Sequence, residues 1–125
     1  MGITRFNQLE VWKTAHQAVL ETYRITKAFP IDERLGLVQQ MRRAAVSIPA
    51  NIAEGFGRRQ PKDKIRFYNI SQASIEELRY YLILAKDLGY ALDPTEVGSL
   101  LDSSARMLKK LILSISDSYG SSPDS

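Results

Sequence analysis

The segment from Met41 to Arg66, MRRAAVSIPANIAEGFGRRQPKDKIR, holds most of the side chains in this chain that could act on a ligand. Ser47, Asn51 and Glu54 fall four and three residues apart, so a helix sets them on one stripe beside the apolar positions Ile48 and Ile52. A hydroxyl, an amide and a carboxylate in a row suggest acid–base work. That chemistry needs a second acid at a defined spacing, or a nucleophile within reach of a base, and the sequence offers neither. The stripe therefore reads as structural. Pro49 removes one backbone hydrogen bond, and a neighbouring Ser or Asn side chain can satisfy the freed carbonyl. Glu54 can pair with an arginine such as Arg66 or with one from a neighbouring subunit.

Other candidate groups give less. One histidine and no cysteine exclude a multi-histidine or thiolate metal site within a single chain. Glu76-Glu77 lacks the Glu-x-x-His partner that a di-metal bundle needs. His16 stands alone. Gly55 and Gly57 do not follow a strand, so a phosphate-cradling loop has no support. No catalytic residue, metal or cofactor is expected, and an enzyme is the least supported class.

The basic residues carry the stronger signal. From Arg34 to Arg66 there are eight basic side chains against Glu54 and Asp63, a balance of +6 in a chain whose total is only +3. Everything outside that window sums to −3. Charge polarised in this way is the electrostatic footprint of a polyanion binder. Arg58, Arg59, Lys62, Lys64 and Arg66 lie across the turn between the second and third helices, and Arg42 and Arg43 extend a stripe up helix two. Such side chains neutralise phosphates and release counterions. The nearby aromatics Phe56, Phe67 and Tyr68 read as core or interface, not as base-stacking platforms. No helix-turn-helix or zinc-finger spacing appears, so binding should be to backbone and shape.

Four helices must position these residues, and no segment reads as a strand. The first spans about 8–29, with a stripe of Leu9, Trp12, Ala15, Val19 and Tyr23, and Pro30 stops it. Asp32 offers an N-cap for the second, whose stripe is Leu35, Val38, Met41, Ala45, Ile48 and Ile52. Gly55 and Gly57 loosen its end. Pro61 suits the first turn of the third helix, which carries Tyr68, Ser71, Ile75, Leu78, Leu82 and Ala85 and closes at Gly89. Asp93-Pro94-Thr95-Glu96 is a capping-box pattern for the fourth helix, with Val97, Leu101, Ser104, Leu108, Leu111 and Ile115. Short connections make the economical solution an antiparallel up-down-up-down four-helix bundle. It is expected as one domain over residues 1–118 with a disordered tail at 119–125.

Apolar positions exceed what one bundle needs. Phe67, Ile70, Tyr81, Ile83 and Leu84 on helix three, and Leu100, Met107 and Ile112 on helix four, lie off the main seams, which points to homo-oligomerisation. The longest uninterrupted apolar run, Tyr80–Ala85, is far too short to span a bilayer. No secretory signal is read at the start, and a cytoplasmic location is expected.

Several motifs occur together: Leu9-Glu10-Val11-Trp12, Phe29-Pro30, the run from Gln40 to Pro49, Asn51-Ile52-Ala53-Glu54-Gly55, and Leu88-Gly89-Tyr90. In these the chain resembles, from about Phe6 to Ile115, the small bundle proteins encoded in intervening sequences of bacterial 23S ribosomal RNA genes. The accessory variability determinant of diversity-generating retroelements shares that fold family. The resemblance implies a homopentamer of four-helix bundles with a basic surface. For the retroelement branch it implies RNA and DNA binding beside a reverse transcriptase. It carries over no catalytic residue. The expected function is a non-catalytic, oligomeric nucleic-acid binder, RNA before DNA, working through Arg42, Arg43, Arg58, Arg59, Lys62, Lys64 and Arg66. The alternative is an accessory scaffold of a diversity-generating retroelement that holds its reverse transcriptase together with RNA.

Overall fold

The computed structural model describes residues 2–90 and 92–120, with side chains through Ser118. A 3-10 turn at Phe6–Gln8 leads into α1 (Glu10–Thr26), and a second at Ile31–Glu33 precedes α2 (Leu37–Gly57). α3 (Pro61–Asp87) and α4 (Thr95–Gly120) follow, and the described residues contain no strand. α1 packs on α2, α2 on α3, α3 on α4 and α4 back on α1, while the diagonal pairs stay apart. Short connections reverse the chain at each step, giving the expected four-helix bundle. Its core is built from Met41, Ile48, Ile52, Ile75, Leu78, Leu101 and Leu108, with Tyr68 closing one end. The 119–125 tail lies largely outside the described residues; α4 itself runs through Gly120.

The seam of α3 matches its sequence pattern, with all six stripe residues buried. Pro61 occupies the first turn of α3, as expected. Gly89 has φ +82, and the N–H groups of Tyr90 and Gly89 donate to the carbonyls of Ala85 and Lys86 at 3.1 and 3.0 Å. That is a Schellman closure, which favours glycine because a side chain is strained at positive φ. At the α4 start, Asp93 Oδ1 accepts the Thr95 N–H at 3.0 Å.

Two helix starts differ from the sequence expectation. α1 begins at Glu10, because Gln8 Oε1 accepts the N–H groups of Thr4 and Arg5 and holds a separate turn. Asp32 does not cap α2. It lies within the second 3-10 turn, and Glu33 supplies the acceptor, with Oε1 taking the Leu37 N–H at 3.2 Å. Leu35 thus falls outside α2 and is 83% exposed. The α1 seam is also rotated: Thr22 is buried and Tyr23 exposed. The Thr22 hydroxyl donates to the Ala18 carbonyl at 2.7 Å, so its methyl can face the core as a small apolar group.

Candidate nucleic-acid interface

The interface is placed by the contact between α2 and α3. Gly55 is buried, and a Cβ there would lie 2.6 Å from the Tyr68 ring and 3.2 Å from the Lys64 carbonyl. Glycine is therefore a close-packing seat for Tyr68, not the loosening device expected from sequence, and α2 stays helical to Gly57. Register between the two helices is fixed by hydroxyls. Ser71 Oγ donates to the Ile48 carbonyl at 2.6 Å, and Ser74 Oγ meets Ser47 Oγ at 2.7 Å. Asn51 Nδ2 donates to the Ser47 carbonyl and Oγ at 2.8 and 2.9 Å. These bonds go to residues 47 and 48, not to the Ala45 carbonyl that Pro49 leaves without its helical donor. Ser47 and Asn51 thus form a hydrogen-bonded pair within α2, and the carbonyl-satisfying role expected beside Pro49 is not seen. Glu54 stands apart: it is exposed and pairs with Arg58, just past the end of its helix, at 3.2 Å, whereas Arg66 lies near Asp63 at 3.9 Å.

At this end the cations divide by role. Lys64 Nζ donates to the carbonyls of Phe56 and Gly55 at 2.8 and 3.3 Å, satisfying the open C-terminus of α2 and countering its negative dipole end. Burial holds its ammonium below the ordinary lysine value. Arg58 and Arg66 both stack on Phe67, with guanidinium carbons 4.6 and 4.5 Å from the ring centroid. Stacking presents each planar fork in a narrowed set of orientations, leaving N–H groups for a bidentate phosphate contact. Arg59 and Lys62 are exposed. The sequence reading missed both the role of Phe67 and the capping by Lys64. The signal available was the spacing of Phe67 beside Arg66 and across the turn from Arg58.

Arg42 and Arg43 do not join this group. Sixteen residues of helix separate Arg42 from Arg58, about 24 Å along the axis. Arg42 is half-buried: Nε donates to Thr26 Oγ1 at 3.0 Å, Nη2 to the Tyr23 carbonyl at 3.4 Å, and its guanidinium lies 4.4 Å from the Tyr23 ring centroid. Its donors tie α2 to the last turn of α1. Arg43 is exposed beside Gln40 and Glu77. Of the seven residues expected to bind nucleic acid, Arg42 and Arg43 lie up α2, while Arg58, Arg59, Lys62, Lys64 and Arg66 gather at the α2–α3 end.

Fold and surface together define a small helical bundle with exposed cations clustered at one end. The family model for the 23S rRNA-intervening sequence protein matches residues 7–113, and the chain belongs to that family. No curated protein matches it closely. Among the described residues, no helix is long and apolar enough to cross a membrane.

Proposed function

We propose that this protein is a non-catalytic, cytoplasmic, homo-oligomeric nucleic-acid binder that holds structured RNA by its phosphate backbone. The observation that carries the reading is the outward cluster of Arg58, Arg59, Lys62 and Arg66 at one end of the bundle. Five cations against Asp63 alone between residues 58 and 66 give a local field that favours a polyanion. The family name is consistent with association with RNA. Phe56 and Phe67 face cations of their own chain, which favours backbone contact over base stacking. The family resemblance supports a homopentamer as the assembled form.

The test replaces Arg58, Arg59, Lys62 and Arg66 with alanine together and leaves Lys64 in place, because Lys64 caps α2. Binding to a labelled RNA hairpin should fall by roughly 100-fold or more at moderate salt, and the slope of log K against log salt should flatten by about 3. Circular dichroism and the measured mass should stay unchanged. Undiminished binding by a folded variant would refute the reading.

A further inference from the structure

The 3-10 turn at Phe6–Gln8 packs on α2, and a groove of about 390 Å3 opens between them, next to the exposed cations. It is lined by Phe6, Ala50, Ala53, Glu54, Gly57 and Arg58. Two alanines and a glycine keep its floor shallow, and a Cβ at Gly57 would meet no atom within 4 Å. Phe6 is 37% exposed, and its ring meets Trp12 edge-on with centroids 5.3 Å apart. Trp12 in turn stacks on His16 at 5.0 Å. Phe6 is therefore held in place by a second ring, whereas Phe56 and Phe67 are engaged by cations.

Glu54 is the carboxylate of this groove. A negative charge here opposes phosphate, so binding to the RNA backbone gives no reason for it. Its ion pair with Arg58 uses Oε2 at 3.2 Å and leaves Oε1 without a hydrogen-bond partner among the described residues. Both side chains are exposed, 59% for Glu54 and 44% for Arg58, so the pair is a weak one that a ligand can share. A ring beside an acceptor-only group fits the face and edge of a nucleobase. Guanine suits it best, because N1–H and N2–H are adjacent donors that match the two oxygens of a carboxylate. Adenine and cytosine offer one amine at that edge. Uracil offers one N–H between two carbonyls that a carboxylate repels. We propose that the groove takes an unpaired guanine of the bound RNA, with its face on Phe6, its Watson–Crick edge on Glu54 and its phosphate on Arg58.

This rests on the RNA reading above and adds a base-reading subsite to it. Arg58 joins the two, since it lines the groove and also belongs to the cluster of Arg59, Lys62 and Arg66. The cations supply affinity that is blind to sequence, and the groove supplies selection. In a duplex the Watson–Crick edge of guanine is occupied by cytosine. The groove therefore selects a base in a loop, a bulge or a single-stranded end beside a stem.

The test uses three labelled RNA hairpins with the same stem and a loop that carries guanine, adenine or uracil at its unpaired positions. The wild-type chain should bind the guanine hairpin about 10-fold more tightly than the uracil one, with adenine between them. Glu54→Ala should abolish that ratio while binding the uracil hairpin at least as well as the parent, because a negative charge is lost. Gly57→Leu places a side chain at the groove and should abolish the ratio too, with the slope of log K against log salt unchanged. Circular dichroism checks folding, and Glu54→Ala, at an exposed position, decides the question if leucine disturbs the fold. A merely structural ion pair would shift the melting temperature of Glu54→Ala and leave the base ratio intact. A wild-type chain without a guanine preference overturns the subsite and leaves the backbone-binding reading standing. A preference that survives Glu54→Ala in a folded protein overturns the assignment to this groove. Failure to bind any hairpin overturns the RNA reading itself, and the subsite with it.

Discussion

At the end of the bundle where α1 turns into α2 and α3 into α4, charge is mostly acidic and two carboxylates cap helices, whereas at the α2–α3 turn charge is mostly basic and four of five cations are exposed. Residues 27–36 and 88–96 hold two basic and four acidic side chains. Glu33 there caps α2 and accepts the Tyr90 hydroxyl, Phe29 packs on the Tyr90 ring at 5.2 Å, and Asp93 caps α4. Residues 58–66 hold five basic side chains and one acidic, and Lys64 among them is committed to backbone carbonyls. Charge used for capping saturates its hydrogen bonds inside the fold, while charge left on the surface remains available to a ligand. On the proposed reading, the difference separates a structural end from a working, RNA-binding one.

That contrast can be broken first at its foundation. Gly55→Val should cost about 2–3 kcal/mol of stability by forcing the buried Tyr68 ring and the α3 backbone away, read as a lowered midpoint in urea. It should also weaken RNA binding, because the working end is positioned by that contact. An unshifted midpoint would mean that the two helices can separate freely.

A pair of arginines sharpens the comparison. Arg42→Ala removes a half-buried guanidinium that donates to Thr26 and Tyr23, and should lower stability by about 1–2 kcal/mol without changing the salt dependence of binding. Arg59→Ala should do the reverse, leaving the melting temperature in place while the slope of log K against log salt loses somewhat under 1. If the two variants behaved alike, the division between structural and working cations would fail.

A smaller effect comes from the capping end. The Tyr90 hydroxyl, and then the Leu37 N–H, hold the Glu33 carboxyl below its ordinary value of 4.5. A carboxylate lowered on folding stabilises the fold above that value, and the contribution is lost as pH falls through the lowered one. Tyr90→Phe should therefore lower the melting temperature near neutral pH, with the gap to the parent chain closing in acid. A constant gap from pH 7 to pH 3 would mean that the stabilisation by the hydroxyl does not depend on the charge of Glu33. Least of all should change at Ser104, which lies between the ends. Its buried Oγ has no hydrogen-bond partner among the described residues, so Ser104→Ala should leave stability unchanged or slightly raised in thermal melts.

Much of the fold was legible because helical spacing is a local property. The α3 seam, the left-handed Gly89 and the proline at the start of α3 all follow from residue type and spacing. The Asp32 cap was not legible. Asp32 and Glu33 both lie near the α2 start, and only the three-dimensional path, with Gly36 preceding the helix, decides which carboxylate reaches the Leu37 N–H. The α1 seam was misread for a similar reason: a threonine that bonds its own helix packs as an apolar residue, which a count of large hydrophobics passes over. The basic segment could be found by counting charge. Its division into capping Lys64, stacked Arg58 and Arg66, and core-tied Arg42 could not, because each role depends on a partner supplied by another element or across a turn.

The central claim is that the 58–66 end binds RNA through phosphates. The most direct measurement is the affinity of the intact protein for a labelled, structured RNA across a salt series, with mass recorded in the same buffers. The account predicts tight binding by an oligomer at low salt and a steep linear fall of log K with log salt. Absence of binding at low salt, or an affinity indifferent to salt, would contradict it and leave the cations as a solvated surface.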